Sequence, residues 1–99
     1  MKTYIVGRSR KSDIIIDHTN RTVSRKHLKI TVEDDGKYYI LDCESSNGTY
    51  RQEGTRWAQI KQSCVDIDEP LLLGRYQTTV RELLDMRTEN SPKEEEEFK

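Results

Sequence analysis

The chain has 99 residues, which fits one domain but not two independent cores. Hydrophobic residues make up 32% and charged residues 35%, so the core must be thin, which favours two layers of short strands. The net charge of −1 argues against general nucleic-acid binding, and no stretch approaches the roughly 20 apolar residues that a membrane helix requires.

The first half of the chain predicts short strands separated by loops. Residues 3–6 are β-branched or aromatic, and the three isoleucines at 14–16 favour a strand because β-branched side chains lose rotamer freedom on a helix. Leu28–Val32 alternates apolar and polar residues, as a half-buried strand does. The Asp-Asp-Gly segment at 34–36 is typical of a hairpin turn, with residues 37–43 as the returning strand.

The second half predicts more strands of the same kind. Turn-forming residues at 44–48 precede short strands at 49–50, 56–60, 63–65, 71–74 and 77–80, and residues 81–86 suit one helical turn. Nine or ten short strands with recurring turns indicate an all-β, two-sheet sandwich. Apolar residues almost vanish from residue 87 onward, so we expect a domain at 1–86 and a disordered acidic linker or tail at 87–99, which could lead to other domains of a longer chain.

Basic residues are concentrated in one region of the chain. Residues 8–26 contain six basic and two acidic side chains, whereas residues 27–99 contain ten basic and sixteen acidic ones. This asymmetry indicates either a solvated basic loop or a site for an anionic ligand. Arginine and serine side chains at strand ends, together with the free amides of turns, supply suitable donors for phosphate oxygens, and an asparagine side chain, which both donates and accepts, suits a peptide backbone.

Three short motifs lie in loops or at strand ends, and in chain order they are Gly7-Arg8, Ser24-Arg25-Lys26-His27 and Asn47-Gly48. With these motifs the chain resembles the forkhead-associated (FHA) family, whose hallmark is Gly-Arg, Ser-Arg-x-His and Asn-Gly in that order, and the similarity runs from about Tyr4 to Val80. Any one motif is weak, but three in order on an all-β pattern are specific. The resemblance implies a β-sandwich of about 10–11 short strands, with binding loops at one end that recognise phosphothreonine proteins or peptides in Ser/Thr-kinase signalling.

The resemblance also implies a role for each matching residue. Phosphate contacts are expected from Arg8, Ser24 and Arg25. Peptide contacts are expected from Asn47, Ser46, Lys26 and Arg21, although Lys26 and Arg21 could equally be solvated charges. Structural roles are expected for Gly7 at a bend and for Gly48 at a turn that needs positive φ. His27 is expected to brace the loop that presents Ser24, which we call the serine loop (residues 22–27). A small cavity in this family accepts the threonine methyl group and so disfavours phosphoserine.

Other functions have less support in the sequence. No catalytic motif surrounds the histidines and cysteines, so we expect no enzyme, cofactor or metal site. No aromatic platform accompanies the basic loop, so no nucleic-acid partner is expected, nor is a membrane one. We expect a cytoplasmic protein in which Cys43 and Cys64 are reduced packing residues. A phosphorylation-independent interaction domain on the same fold is the main alternative. Departures from the family pattern at 51–54 and 68–70 leave the preference around the phosphothreonine unpredicted.

Overall fold

Strands with one apolar face can bury that face only by packing two sheets together. The computed structural model describes residues 1–87, which form a five-stranded sheet, a four-stranded sheet and one short helix. The strands are β1 (Lys2–Gly7), β2 (Ile14–Ile15), β3 (Leu28–Val32), β4 (Tyr38–Asp42), β5 (Thr49–Glu53), β6 (Arg56–Ile60), β7 (Gln62–Val65), β8 (Leu71–Leu73) and β9 (Tyr76–Thr78), and the helix is α1 (Val80–Asp85). Their orders are β2-β1-β3-β4-β7 and β6-β5-β8-β9, which confirms the predicted β-sandwich.

The buried residues come from both sheets and the helix. The inward-facing side chains of β1 and β3, such as Val6 and Ile30, pack in one cluster with Leu71 and Leu73 of β8 and with Leu83 of α1. Ile14 and Ile16 are fully buried. Ile14 and Ile15 pair with β1 in parallel, which confirms the predicted strand for these two residues, and the strand ends before Ile16. The core is therefore a single layer of side chains between the sheets.

The hairpin predicted from the Asp-Gly sequence is confirmed. Strands β3 and β4 are antiparallel, with Ile30 opposite Ile40, and Gly36 in the turn has a φ of 87°. This left-handed conformation suits a residue without a Cβ. The hairpin fixes the register of the central part of the five-stranded sheet.

Several predicted boundaries in the second half differ from the structure, and those of β5 and β9 differ by two residues or more. Strand β5 continues to Glu53, because it pairs along its whole length with β6 before the turn at Gly54. Thr79 and Val80 do not extend β9. Instead, Thr79 caps α1 by accepting a hydrogen bond from the Glu82 amide (3.1 Å), and Val80 begins the helix.

One further expectation is corrected at the surface. Both cysteines are free thiols, but Cys64 is exposed on β7 and is not a packing residue. Arg87, the last described residue, bridges to Ile14, and its guanidinium lies 5.7 Å from the centre of the Tyr4 ring. The remaining part of the predicted tail, 88–99, lies outside the described residues. Within residues 1–87, no helix has the length and apolar character needed to cross a membrane.

Candidate functional site

The strand registers determine which loops share an end of the sandwich. Val6 lies opposite Leu28, and Leu28 lies opposite Asp42, so the end of β1, the start of β3 and the end of β4 coincide. In the other sheet, Thr49 at the start of β5 lies opposite Leu73 at the end of β8. The loops attached at these points contain all three sequence motifs.

Gly7 and Arg8 connect the end of β1 to the serine loop. The main-chain amides of Arg8 and Ser9 donate to the carbonyls of Ser24 (3.1 Å) and Arg25 (3.0 Å). A Cβ on Gly7 would lie 2.0 Å from the Arg25 carbonyl oxygen, so this glycine is required by close approach, and its φ is not positive. Arg8 Nε donates to the Val23 carbonyl, whereas the two Nη groups bond to none of residues 1–87. The half-buried guanidinium is thus held on one edge, with further donors open.

His27 joins the serine loop to the Asn-Gly turn. Its ring is fully buried, its Nδ1 accepts from the Ser24 amide (2.9 Å), and its Nε2 lies 2.9 Å from the Gly48 carbonyl oxygen. Because Nδ1 is the acceptor, the ring proton is assigned to Nε2, which donates to Gly48. Burial lowers the pKa of His27, against the opposing effects of the Gly48 carbonyl and Asp42, and this favours the neutral ring.

Ser46 and Asn47 both contact one short segment, residues 22–24, which includes Ser24. The Ser46 amide donates to the Ser24 hydroxyl oxygen (3.0 Å), and Asn47 Nδ2 donates to the Thr22 carbonyl (3.0 Å). Since the Ser24 oxygen is an acceptor here, its own hydrogen is available to a ligand. Arg8 bonds to the middle residue of this segment, so the structure brings Arg8, Ser24, Ser46 and Asn47 together at one end of the sandwich.

The carboxylate of Asp42, which lies outside the three sequence motifs, supports the Asn-Gly turn. Asp42 accepts hydrogen bonds from the Ser45 hydroxyl (2.6 Å), the Ser45 amide (3.0 Å) and the Thr49 hydroxyl (2.7 Å). Partial burial raises the pKa of Asp42, but the hydrogen bonds from Ser45 and Thr49 outweigh it, so the net shift is downward. Ser45 in turn accepts from the amide of Gly48, whose φ of 85° suits glycine. The sequence feature that could have identified Asp42 is the cluster of polar residues around the Asn-Gly turn.

The remaining cations lie on the outside of this end. Arg21, Arg25 and Lys26 are exposed, and none of them pairs with a carboxylate of residues 1–87. The Arg25 amide also bonds to nothing within that range, so it is open as a main-chain donor. Arg75 lies in the β8–β9 turn, outside the three motifs, and was not predicted as a site residue. Its main-chain amide donates to the Thr22 hydroxyl (2.9 Å).

One groove lies away from the loop end. It has a volume of about 610 Å³ and lies on the outer face of the five-stranded sheet, lined partly by Thr31, Tyr39 and Leu41. Its lining is mostly uncharged, whereas the loop end displays unpaired cations and open donors. We therefore assign the candidate site to the loops, where the chemistry is concentrated, and not to this groove.

The structure defines a two-sheet β-sandwich with arginine, serine and asparagine side chains from separate loops at one end. A family model described as FHA domain matches residues 4–65, which is more than half of the chain. The chain therefore belongs to the FHA domain family, as its sequence motifs indicate.

The relatives with known names extend this comparison. The chain is 38% identical over 61 residues to an oxoglutarate dehydrogenase inhibitor of Corynebacterium glutamicum, a match that covers 62% of this chain and 41% of that protein. The chain thus spans about two-fifths of the curated relative's length. The crystal structure of the FHA domain of the CT664 protein from Chlamydia trachomatis superposes with a TM-score of 0.67 and 31% identity, covering 77% of this chain and 72% of that one.

A third relative was solved with a bound ligand. Mycobacterium tuberculosis EmbR, in complex with a low-affinity phosphopeptide, superposes with a TM-score of 0.60 and 26% identity. The match covers 78% of this chain and 19% of that one. The shared part is thus confined to one region of a much longer protein.

Proposed function

We propose that this domain binds phosphothreonine in partner proteins of a Ser/Thr-kinase signalling system, and that it acts by recruitment and not by catalysis. The observation that carries the proposal is the convergence of Arg8 and Asn47 on residues 22–24, the segment that contains Ser24. A phosphorylated side chain carries about 1.5 to 2 negative charges and three acceptor oxygens. The open Nη groups of Arg8 and the free hydroxyl hydrogen of Ser24 match those acceptors.

Different residues of the site bind the phosphate and the peptide main chain. Arg8, Ser24 and the open amide of Arg25 supply charged and neutral donors for phosphate oxygens. Asn47 already donates to the Thr22 carbonyl, and its amide has a second donor and an acceptor oxygen to bond the main chain of a peptide. Ser46 completes the pocket by fixing the oxygen of Ser24, while Lys26 and Arg21 add positive potential.

The unpaired cations favour this reading over a phosphorylation-independent interaction. Arg8 leaves both Nη groups without a partner among residues 1–87, so they can bind an anionic group such as phosphate. The name of the curated relative, an inhibitor, also describes a protein that acts on another protein. We place the module in the cytoplasm, where Ser/Thr kinases act and free thiols stay reduced.

The first experiment identifies a ligand. An oriented phosphothreonine peptide library, with phosphoserine and unmodified versions of each peptide, is screened against the domain. We expect binding that requires the phosphate and that is weaker for phosphoserine. Equal binding of the unmodified peptides would establish the phosphorylation-independent alternative.

The second experiment tests the role of Arg8 with the selected peptide. We expect Arg8→Ala to weaken binding by about 2 kcal/mol, or roughly thirtyfold, because a hydrogen bond to a charged group is worth about 1.5–3 kcal/mol. Isothermal titration calorimetry measures the affinity, and circular dichroism checks the fold. Arg56→Ala is the matched control, since it removes the same charge from the exposed far end of the β5–β6 hairpin. Unchanged affinity in folded Arg8→Ala would remove Arg8 from the site.

A further inference from the structure

One dipeptide at the loop end is chemically reactive by its sequence. The chain has three asparagines, and Asn47 is the one that precedes glycine. In an Asn-Gly pair, the main-chain nitrogen of the glycine can attack the side-chain carbonyl carbon of the asparagine, because glycine has no side chain to hinder the approach and its backbone is the least restricted. Asn20 and Asn90 precede arginine and serine, whose side chains hinder this attack.

The reaction converts the asparagine to an acid in two steps. The Gly48 nitrogen gives its proton to a base in solvent and bonds to Cγ of Asn47, the Cγ–Nδ2 bond breaks, and the nitrogen takes up a proton and leaves as ammonia. Water then adds to either carbonyl carbon of the cyclic imide, and the bond from that carbon to nitrogen breaks. The product is aspartate or isoaspartate at position 47, with a carboxylate in place of a neutral amide. Water is the co-reactant.

The folded loop end occupies both reacting groups. The Gly48 amide donates to the Ser45 hydroxyl oxygen (3.0 Å), and Asn47 Nδ2 donates to the Thr22 carbonyl (3.0 Å). The attack therefore requires both hydrogen bonds to break. Asp42 accepts from the Ser45 hydroxyl, but its lowered pKa makes it a poor base for the Gly48 proton.

The main chain around Gly48 is also fixed by distant segments. Its carbonyl accepts from the Gly74 amide (2.9 Å) and lies 2.9 Å from Nε2 of the buried His27 ring. Rotation of this peptide unit toward the Asn47 side chain would break contacts with the β8–β9 turn and with the serine loop together. The fold thus holds the reacting atoms apart.

We propose that Asn47-Gly48 is a deamidation site that the folded loop end keeps unreactive, and that its reaction, once those contacts open, irreversibly weakens the binding of a phosphorylated partner. The second half of this inference rests on the proposed function. A carboxylate at position 47 cannot donate to the Thr22 carbonyl, and an isoaspartate adds a main-chain atom to a turn that is fixed at Gly48. The new negative charge also repels a phosphate held by Arg8 and Ser24.

The rate of deamidation, followed by peptide mapping with mass spectrometry, tests the first half. The wild-type domain is incubated in mildly alkaline buffer, either folded or unfolded in guanidinium chloride, and the converted fraction of Asn47 is measured over time. We expect the folded domain to react about thirtyfold more slowly, the factor that corresponds to two ordinary hydrogen bonds. This comparison needs no variant, so it does not depend on whether a variant folds.

Ser45→Ala tests which contact protects the site. It removes the acceptor of the Gly48 amide, so the folded variant should deamidate about fivefold faster than the folded wild type, the factor for one hydrogen bond. Thr79→Ala is the control for a general loss of stability, since it removes the acceptor of the Glu82 amide at the start of α1. It should deamidate at the wild-type rate, and circular dichroism checks that both variants are folded.

Three results contradict the first half. Equal rates in the folded and unfolded wild type would show that the loop contacts do not protect Asn47. An unreactive Asn47 in the unfolded chain would show that it is not a deamidation site. Equal rates in folded Ser45→Ala and Thr79→Ala would refute protection by the Ser45 contact.

Calorimetry with a phosphothreonine peptide selected from the library tests the second half. The peptide is titrated into the wild type, into Asn47→Asp, and into deamidated domain refolded from guanidinium chloride. We expect both altered forms to bind at least about tenfold more weakly. If the wild type binds the phosphorylated peptide and the altered forms bind equally well, the second half alone is refuted. If the wild type does not require the phosphate, the proposed function fails and the second half fails with it, whereas the deamidation rates still decide the first half.

Discussion

His27 is the buried side chain through which the serine loop and the Asn-Gly turn are joined, so its removal has a calculable cost. In His27→Ala, the Ser24 amide loses its acceptor, and a buried donor without a partner costs about 1–3 kcal/mol. The Gly48 carbonyl loses one of two donors, because it still accepts from the Gly74 amide, which costs about 0.5–1.5 kcal/mol. The cavity left by the ring adds to this, so we expect a loss of about 4 kcal/mol in the free energy of unfolding.

Chemical denaturation followed by circular dichroism measures this loss. A loss of this size leaves a domain of ordinary stability folded, since small domains are stable by about 5–15 kcal/mol. Phosphopeptide affinity should fall as well, because Ser24 and the turn carrying Asn47 lose the side chain that joins them. His18→Ala is the matched control: His18 is exposed and lies beside Asp17, so its removal should change the free energy of unfolding by less than about 0.5 kcal/mol.

The comparison of the two histidine variants can refute this reasoning. If His27→Ala lowers the free energy of unfolding by less than about 1 kcal/mol, the two hydrogen bonds of the ring do not hold the loops together. If stability falls as expected while phosphopeptide affinity is unchanged, His27 stabilises the fold but does not position the binding residues.

Two further predictions concern pH and the helix cap. Because burial holds the pKa of His27 below its ordinary value of 6.5, the unfolded chain takes up a proton first as pH falls, so wild-type stability should decrease below about pH 6.5 and level off below the folded-state pKa. Parallel denaturation series at about pH 7.5 and 5.5 should show a smaller decrease for His27→Ala, and an equal decrease in both proteins would contradict the assignment. Thr79→Ala should cost about 1 kcal/mol because it removes the acceptor of the Glu82 amide, whereas Thr79→Ser should restore most of the stability in thermal melts.

Much of the fold could be predicted from short stretches of sequence. The alternation in β3 and the Asp-Asp-Gly turn specify a hairpin because strand faces and turn conformations depend on neighbouring residues. The three isoleucines indicate extended chain for a similar reason. The order of the three FHA motifs identified the family, which the match over residues 4–65 confirms.

Local sequence patterns gave wrong element boundaries where a helix cap or pairing with another strand determined the structure. Thr79 and Val80 are β-branched and predicted a strand, but Thr79 accepts from Glu82 and starts a helix that buries Leu83. Thr-x-x-Glu is a capping sequence that could have been recognised. The length of β5 depended on its pairing with β6, which no property of β5 itself specifies.

The sequence by itself determined the strands, the family and the residue types that could meet a phosphate, because these depend on side-chain chemistry and on neighbours along the chain. Tertiary structure alone decided which of those residues share one end of the molecule. Arg75 and Thr22 are 53 residues apart, and only the antiparallel pairing of β8 with β5 and β9 brings the turn at Arg75 against the serine loop. Hydrogen bonds between distant segments require the sheets to be assembled first, so no local pattern encodes them.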